Sequence, residues 1–175
     1  MKGRGSLLLL AVVAVVLLRP WQLQQNHAGP DASGRLSGRV VRAVDGDTLE
    51  VRLDDGEIET VRVIGVDTPE TVKPDTPVQC FGPQASRFEH RMVEGRRVRL
   101  LTGVEPRDFY GRLLAYVWVE GPPQRDPGGR FLEVELLRRG LARTLTFHPN
   151  DRFAPRFENL ERTAAKRGKG LWNAC

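Results

Sequence analysis

The hydrophobic pattern changes period along the chain. From about residue 38 to 66 it follows the two-residue repeat of strands. Arg39–Val44 is rich in β-branched residues. Thr48–Leu53 alternates, with Leu49, Val51 and Leu53 on one face and Thr48, Glu50 and Arg52 on the other. Glu57–Val66 predicts a third strand in which Val61 and Val63 share a face and Arg62 points to the opposite one. Asp45-Gly46 and Asp54-Asp55-Gly56 are turn signals between these runs, so the three strands read as a meander. A Pro-rich loop over 67–82 follows. The period then becomes helical: Pro83 suits a first turn, and Ala85, Phe88 and Met92 recur on one face. Arg97–Thr102 and Leu113–Val119 predict two more strands. Val134, Leu137 and Leu141 mark a second helix, and Phe153, Phe157, Leu160 and Ala164 a third. The order βββ-α-ββ-α-α is the connectivity of an OB barrel. The pattern therefore predicts an α+β fold, a five-stranded OB-fold β-barrel with three α-helices.

The N-terminal end has a different character. Lys2 and Arg4 precede an unbroken apolar run of twelve residues, Leu7 to Leu18, which Arg19-Pro20 ends. A membrane-spanning helix needs roughly 20 apolar residues, so the run suits a secretory signal peptide better. No clean small-residue cleavage site follows, and an uncleaved N-terminal anchor stays open. The expected organisation is a signal peptide or N-terminal membrane anchor over 1–28, a flexible linker over 29–36 and one folded domain over 37–175. A secreted or cell-envelope location follows from the leader.

Composition narrows the chemistry. The formal charge of +5 loses three units with Lys2, Arg4 and Arg19, because residues 1–29 hold no acid. The folded part is only mildly basic, and bulk charge does not prove a nucleic-acid partner. With 3 His, 2 Cys and no H-E-x-x-H, a His- or Cys-built zinc centre is disfavoured. Chemistry must run on carboxylates, arginines or a metal held by oxygen. Export would place Cys80 and Cys175 in an oxidising compartment, where they can pair and pin the C-terminus to the body. Two free thiols are the bland alternative.

The polar residues at the predicted strand ends supply such a set. Asp47 follows the first turn, Asp67-Thr68-Pro69-Glu70 ends the third strand, Arg62 lies five residues before Asp67, and Arg112 follows Tyr110-Gly111. Carboxylate and carbonyl oxygens suit a hard divalent cation. Two guanidiniums can hold a phosphate and stabilise the charge that builds at phosphorus. A further carboxylate can orient or deprotonate water. Each residue also has a plainer reading. Asp45-Gly46-Asp47 can be only a hairpin turn, Asp67 an Asx turn, Arg62 a surface ion pair and Arg112 part of a charge cluster with Arg107 and Asp108. Their joint placement at strand ends is what favours a phosphodiesterase.

The segments V-D-G-D-T (44–48), R-V-I-G-V-D-T-P-E-T (62–71), F-G-P-Q-A-S (81–86), D-F-Y-G-R-L-L-A-Y (108–116), L-L-R-R-G-L-A (136–142) and G-L-W (170–172) resemble the staphylococcal nuclease (thermonuclease) family. The resemblance covers about residues 38–173 in order and spacing. It implies an OB-fold barrel with three helices and a Ca²⁺-dependent nuclease acting on DNA and RNA, preferably single-stranded or breathing duplex, as a monomer. Products would carry 3′-phosphate ends. Asp47 and Asp67 match the calcium carboxylates and Thr68 the carbonyl ligand. Arg62 and Arg112 match the phosphate-binding arginines, Glu70 the general base, and Tyr110 a tyrosine of the nucleotide site. Phe147 and His148 lie where an aromatic stacks on the base, and Phe147 is taken as that residue. Cys80 and Cys175 look like an added staple. The loop Val72–Gln79 has fewer lysines than the family pattern, which bears on substrate affinity. The alternative function is a non-catalytic nucleic-acid-binding OB module of the envelope, which the retained acid and arginine set disfavours.

Overall fold

The computed structural model describes residues 34–72, 76–121 and 128–175. The leader expected over 1–28 lies outside the described residues. No helix among the described residues is long and apolar enough to cross a membrane.

The meander forms as the alternation requires. Strands β1 (Arg35–Ala43), β2 (Thr48–Leu53) and β3 (Ile58–Val63) pair antiparallel, and helix α1 (Gly82–Val93) follows the short β4 (Gly65–Asp67). Strand β5 (Arg97–Arg107) returns antiparallel to β1 and hands on to β6 (Leu113–Val119). A parallel pairing of β6 with β3, at Val61↔Leu113, Arg62↔Leu114 and Val63↔Ala115, closes the barrel. Its inside is filled by the alternating face that includes Leu49, Val51, Val61, Val63, Leu100 and Val117, all fully buried. Each such side chain contributes about 1.5–3 kcal/mol of burial free energy. Helix α2 (Leu132–Arg139) and helix α3 (Ala154–Lys166) pack on each other beside β6, with Phe131, Phe153 and Phe157 clustered around Tyr116.

The structure differs from the pattern in places that matter to the polar end. The third strand breaks at Ile64. Gly65 adopts φ 86°, and a Cβ there would lie 2.5 Å from the Phe157 ring, so only glycine lets the chain turn against that ring. The break sends Gly65–Asp67 out of the barrel to pair with β8 (Arg143–Leu145). Leu141 leaves its expected helix because Gly140 ends α2 in the left-handed region. Gly140 N–H and Leu141 N–H donate back to the Leu137 and Leu136 carbonyls, a Schellman cap. Strand β1 begins at Arg35, inside the stretch expected as linker, because Gly34 and Arg35 pair with Thr102 and Leu101 of β5. Strand β5 in turn runs past Thr102 to Arg107 through an irregularity in its pairing with β6. The two-residue β7 (Arg130–Phe131) and the four-residue α4 (Leu171–Ala174) carry no readable sequence signal. Cys80 and Cys175 form a disulfide, with Cα atoms 5.9 Å apart, that ties the loop before α1 to the C-terminus.

Candidate active site

Local geometry explains why the first turn reads Asp-Gly-Asp. Asp45 Oδ1 accepts the Asp47 N–H at 3.0 Å and folds the turn. Gly46 lies so close to Thr68 that a Cβ would sit 2.4 Å from the Thr68 hydroxyl. That approach lets Thr68 N–H and its hydroxyl both donate to Asp47 Oδ2, at 2.8 and 3.1 Å. Asp47 and Thr68, 21 residues apart, are thereby locked together under cover.

Arg62 stands directly across from Thr48 in the β2–β3 register. Its Nη1 donates to the carbonyls of Val63 (2.8 Å) and Val66 (2.9 Å), which the break after β3 turns toward it. The guanidinium lies 3.3 Å from Asp47 Oδ1 and donates to Asp67 Oδ1 at 3.3 Å. Arg112 arrives from the other side. The parallel β3–β6 register sets Leu114 opposite Arg62, so Arg112 projects from the same end of the barrel. Asp108 fixes it: Oδ1 accepts Arg112 N–H at 2.9 Å and Oδ2 accepts Nε–H at 2.7 Å. Among the described residues no hydrogen bond engages its Nη atoms. Glu70 sits in the loop after β4, where its Oε1 accepts the Thr71 and Val72 N–H groups at 2.8 and 2.9 Å. The Gln79 side chain accepts the Glu70 N–H at 3.0 Å.

Asp45, Asp47, Arg62, Asp67, Thr68, Glu70 and Arg112 line one polar cavity of about 170 Å³. Every residue expected to be catalytic or metal-binding is thus in one place. The neighbouring groove, about 470 Å³, shares Arg62 and Arg112 and holds Tyr110, Phe147 and His148. Phe147 is 60% exposed. His148 is more exposed, and its Nδ1 lies 2.8 Å from the Asp151 carboxylate.

The electrostatics of the cavity are those of an acid cluster. Burial pushes the Asp47 carboxyl up to about 6; Arg62 and the Thr68 N–H oppose that shift, while Asp45 and Asp67 add to it. Burial would also raise Asp108, but its hydrogen bonds from Arg112 outweigh this and hold it below the usual carboxylate range. Among the described residues no group of three or more His, Cys, Asp or Glu is arranged to hold a metal alone. The donor set still fits a hard cation. Two carboxylates and a backbone carbonyl offer oxygen donors, and a divalent charge would offset both the burial that chiefly raises Asp47 and the repulsion from Asp45 and Asp67 that adds to it. The remaining coordination would come from water or substrate.

Two positioning residues escape sequence reading. Asn150 is buried; it bonds the Glu105 N–H and carbonyl at 3.1 and 2.9 Å, and its own carbonyl accepts the Tyr116 hydroxyl. It thereby holds the irregular part of β5 against the Phe147 turn. Glu59 pairs with Arg107, which also donates to the Gly111 carbonyl at 2.8 Å and braces the Tyr110–Arg112 turn. Both contacts join residues more than forty apart, and no local spacing announces them.

The model of the family described as "Staphylococcal nuclease homologue" matches residues 60–174. A thermonuclease of Staphylococcus intermedius is 41% identical over 173 residues, covering 95% of each chain. A thermonuclease of Staphylococcus hyicus is 39% identical over 171 residues, 94% of this chain and 95% of the other. The SPbeta prophage-derived endonuclease YokF of Bacillus subtilis is 37% identical over 134 residues, 75% of this chain and 42% of that one.

Proposed function

The chain belongs to the staphylococcal nuclease family, and from that membership we propose that it is an exported, Ca²⁺-dependent phosphodiesterase that cleaves DNA and RNA at the P–O5′ bond. It is a nuclease, and nucleic acid is its substrate. The observation that carries the site assignment is the convergence of Arg62, Arg112, Glu70, Asp47 and Asp67 on one small cavity from four separate segments.

Asp47, Asp67 and the Thr68 carbonyl would hold the cation, which when bound supplies Lewis-acid polarisation of a phosphate oxygen. The remaining steps belong to the chain's own groups. Arg62 and Arg112 flank the phosphate and stabilise the charge that grows on its equatorial oxygens. Arg62 is pre-oriented by two carbonyls and Arg112 by Asp108, so neither must be ordered during the reaction. Glu70, anchored by the Thr71 and Val72 N–H groups, orients water and accepts its proton as oxygen attacks phosphorus. The P–O5′ bond breaks, the 5′-oxygen takes a proton from solvent, and the 3′ side keeps the phosphate. Tyr110 and Phe147 border the adjacent groove and contact the nucleotide there. Single strands and breathing duplexes are preferred, because Tyr110 and Phe147 present ring faces that only an unpaired base can cover. The N-terminal apolar run directs export of a monomer, with an uncleaved anchor as its alternative.

The test is digestion of denatured DNA and of RNA by the purified protein in Ca²⁺ and in EGTA, with analysis of the ends. Cleavage only in Ca²⁺, leaving 3′-phosphates, is expected. Folded protein that binds Ca²⁺ without cutting would overturn the catalytic reading, and 5′-phosphate ends would overturn the bond assignment.

A further inference from the structure

Phe109 is 97% exposed, the most exposed large apolar side chain among the described residues. Single exposed apolar residues are ordinary on protein surfaces. This one stands on the rim of the groove that Arg62 and Arg112 share, and it is not alone there. The Phe109 and Tyr110 rings meet edge to face with centroids 5.6 Å apart, and Tyr110 is itself 79% exposed. The turn that carries them is held from both ends. Asp108 accepts the Tyr110 and Arg112 N–H groups and donates its own N–H to the Arg112 carbonyl, while Gly111 N–H closes onto the Asp108 carbonyl. Arg107 clamps the turn from outside through the Gly111 carbonyl. A rigid backbone thus displays two adjoining aromatic rings to water, and the Arg112 guanidinium lies 5.5 Å from the Tyr110 ring centre.

Flat apolar faces beside fixed guanidiniums match one chemistry: an unpaired base on a phosphodiester strand. The arginines hold the backbone, and the rings take the bases. The chain already has Tyr110 and Phe147 at the groove for the nucleotide next to the cleaved bond. Phe109 lines the same groove beside Tyr110, is more exposed than it, and has no other ring against it among the described residues. We infer that Phe109 is a stacking platform for the base of a flanking nucleotide, so that the nuclease grips a single strand over more than the nucleotide it cleaves. Because the turn is pre-formed, stacking there loses little conformational entropy. The inference rests on the nuclease reading above.

The experiment compares F109A, F109L and F109W with the wild type on two substrates, a single-stranded octamer and an aryl phosphodiester of one nucleotide. For F109A the octamer KM should rise about ten- to hundredfold, the range expected for one lost base stack. The wild-type preference for the octamer over the ester should shrink by the same factor. F109W should restore the octamer KM, and F109L should not, since it keeps bulk without a π face. In a phosphorothioate octamer, a 2-aminopurine at the flanking position should be quenched by wild type and less by F109A. Equal losses on both substrates, an unchanged octamer KM, or F109L behaving as wild type would each overturn the stacking role. A wild type that cleaves neither substrate would instead overturn the nuclease reading.

Discussion

Glu133 should make the protein less stable as pH rises, and Glu133→Gln should remove that loss. The side chain sits in the first turn of α2, completely buried. Its Oε1 accepts the Val117 N–H at 3.1 Å, whereas Oε2 has no partner among the described residues. Burial raises its carboxyl well above the ordinary value of 4.5; the hydrogen bonds from its own and the Val117 N–H work the other way and lose. The folded protein therefore keeps a proton that the unfolded chain releases above pH 4.5. Stability is full below that pH and falls by about 1.4 kcal/mol per unit until the folded-state value is passed. Gln has the same shape, keeps an acceptor for Val117 and does not titrate. Urea unfolding of wild type and E133Q in EGTA, from pH 4.5 upward, should give stabilities whose difference grows by about 1.4 kcal/mol per unit in favour of E133Q. A constant offset from the amide is allowed. Two parallel profiles would refute the reasoning, because they would mean that Glu133 is ionised in the folded state or hydrated.

Asp47 is raised to about 6, so the metal-free protein loses stability as pH climbs from 3.8 to that value. Asp47→Asn should raise metal-free stability at pH 7 by about 3 kcal/mol and weaken Ca²⁺ binding; calorimetric titration and urea melts read both. Arg112→Lys should reduce kcat about 10²- to 10³-fold with normal far-UV circular dichroism, since one ammonium nitrogen cannot both stay on Asp108 and offer phosphate the planar two-nitrogen fork; a tenfold effect or less would count against its role. Replacing Cys80 and Cys175 by Ser frees a loop of 95 residues and should lower stability by up to about 4–5 kcal/mol, measured by urea unfolding without reductant. An unchanged midpoint would mean that the unfolded chain is not restrained by the bridge.

The strands and helices were legible because their signals are local. Leu49, Val51 and Leu53 alternate in the sequence and fall on the buried face of β2, and Pro83 opens α1. The identities of the site residues were legible too, since Asp-Gly-Asp, Asp-Thr-Pro-Glu and Tyr-Gly-Arg are short and compact. What the residues do to one another was not. Gly65 is an unremarkable glycine until Phe157, ninety-two positions later, leaves no room for a Cβ. That contact breaks the third strand, and the break turns the Val66 carbonyl toward Arg62 and sends Asp67 out to β8. The same holds for Asp47 against Thr68, Arg107 against Glu59, and Asn150 against Glu105. Local sequence was enough for the period of each segment and the chemistry on offer, because hydrophobic alternation is a property of near neighbours and a side chain's functional group a property of the residue itself. Which carboxylates are buried, which arginine is held by what, and the meeting of all of them in one cavity depend on the folded chain. Barrel closure sets those distances, and closure is a relation between β3 and β6 that no window of sequence contains.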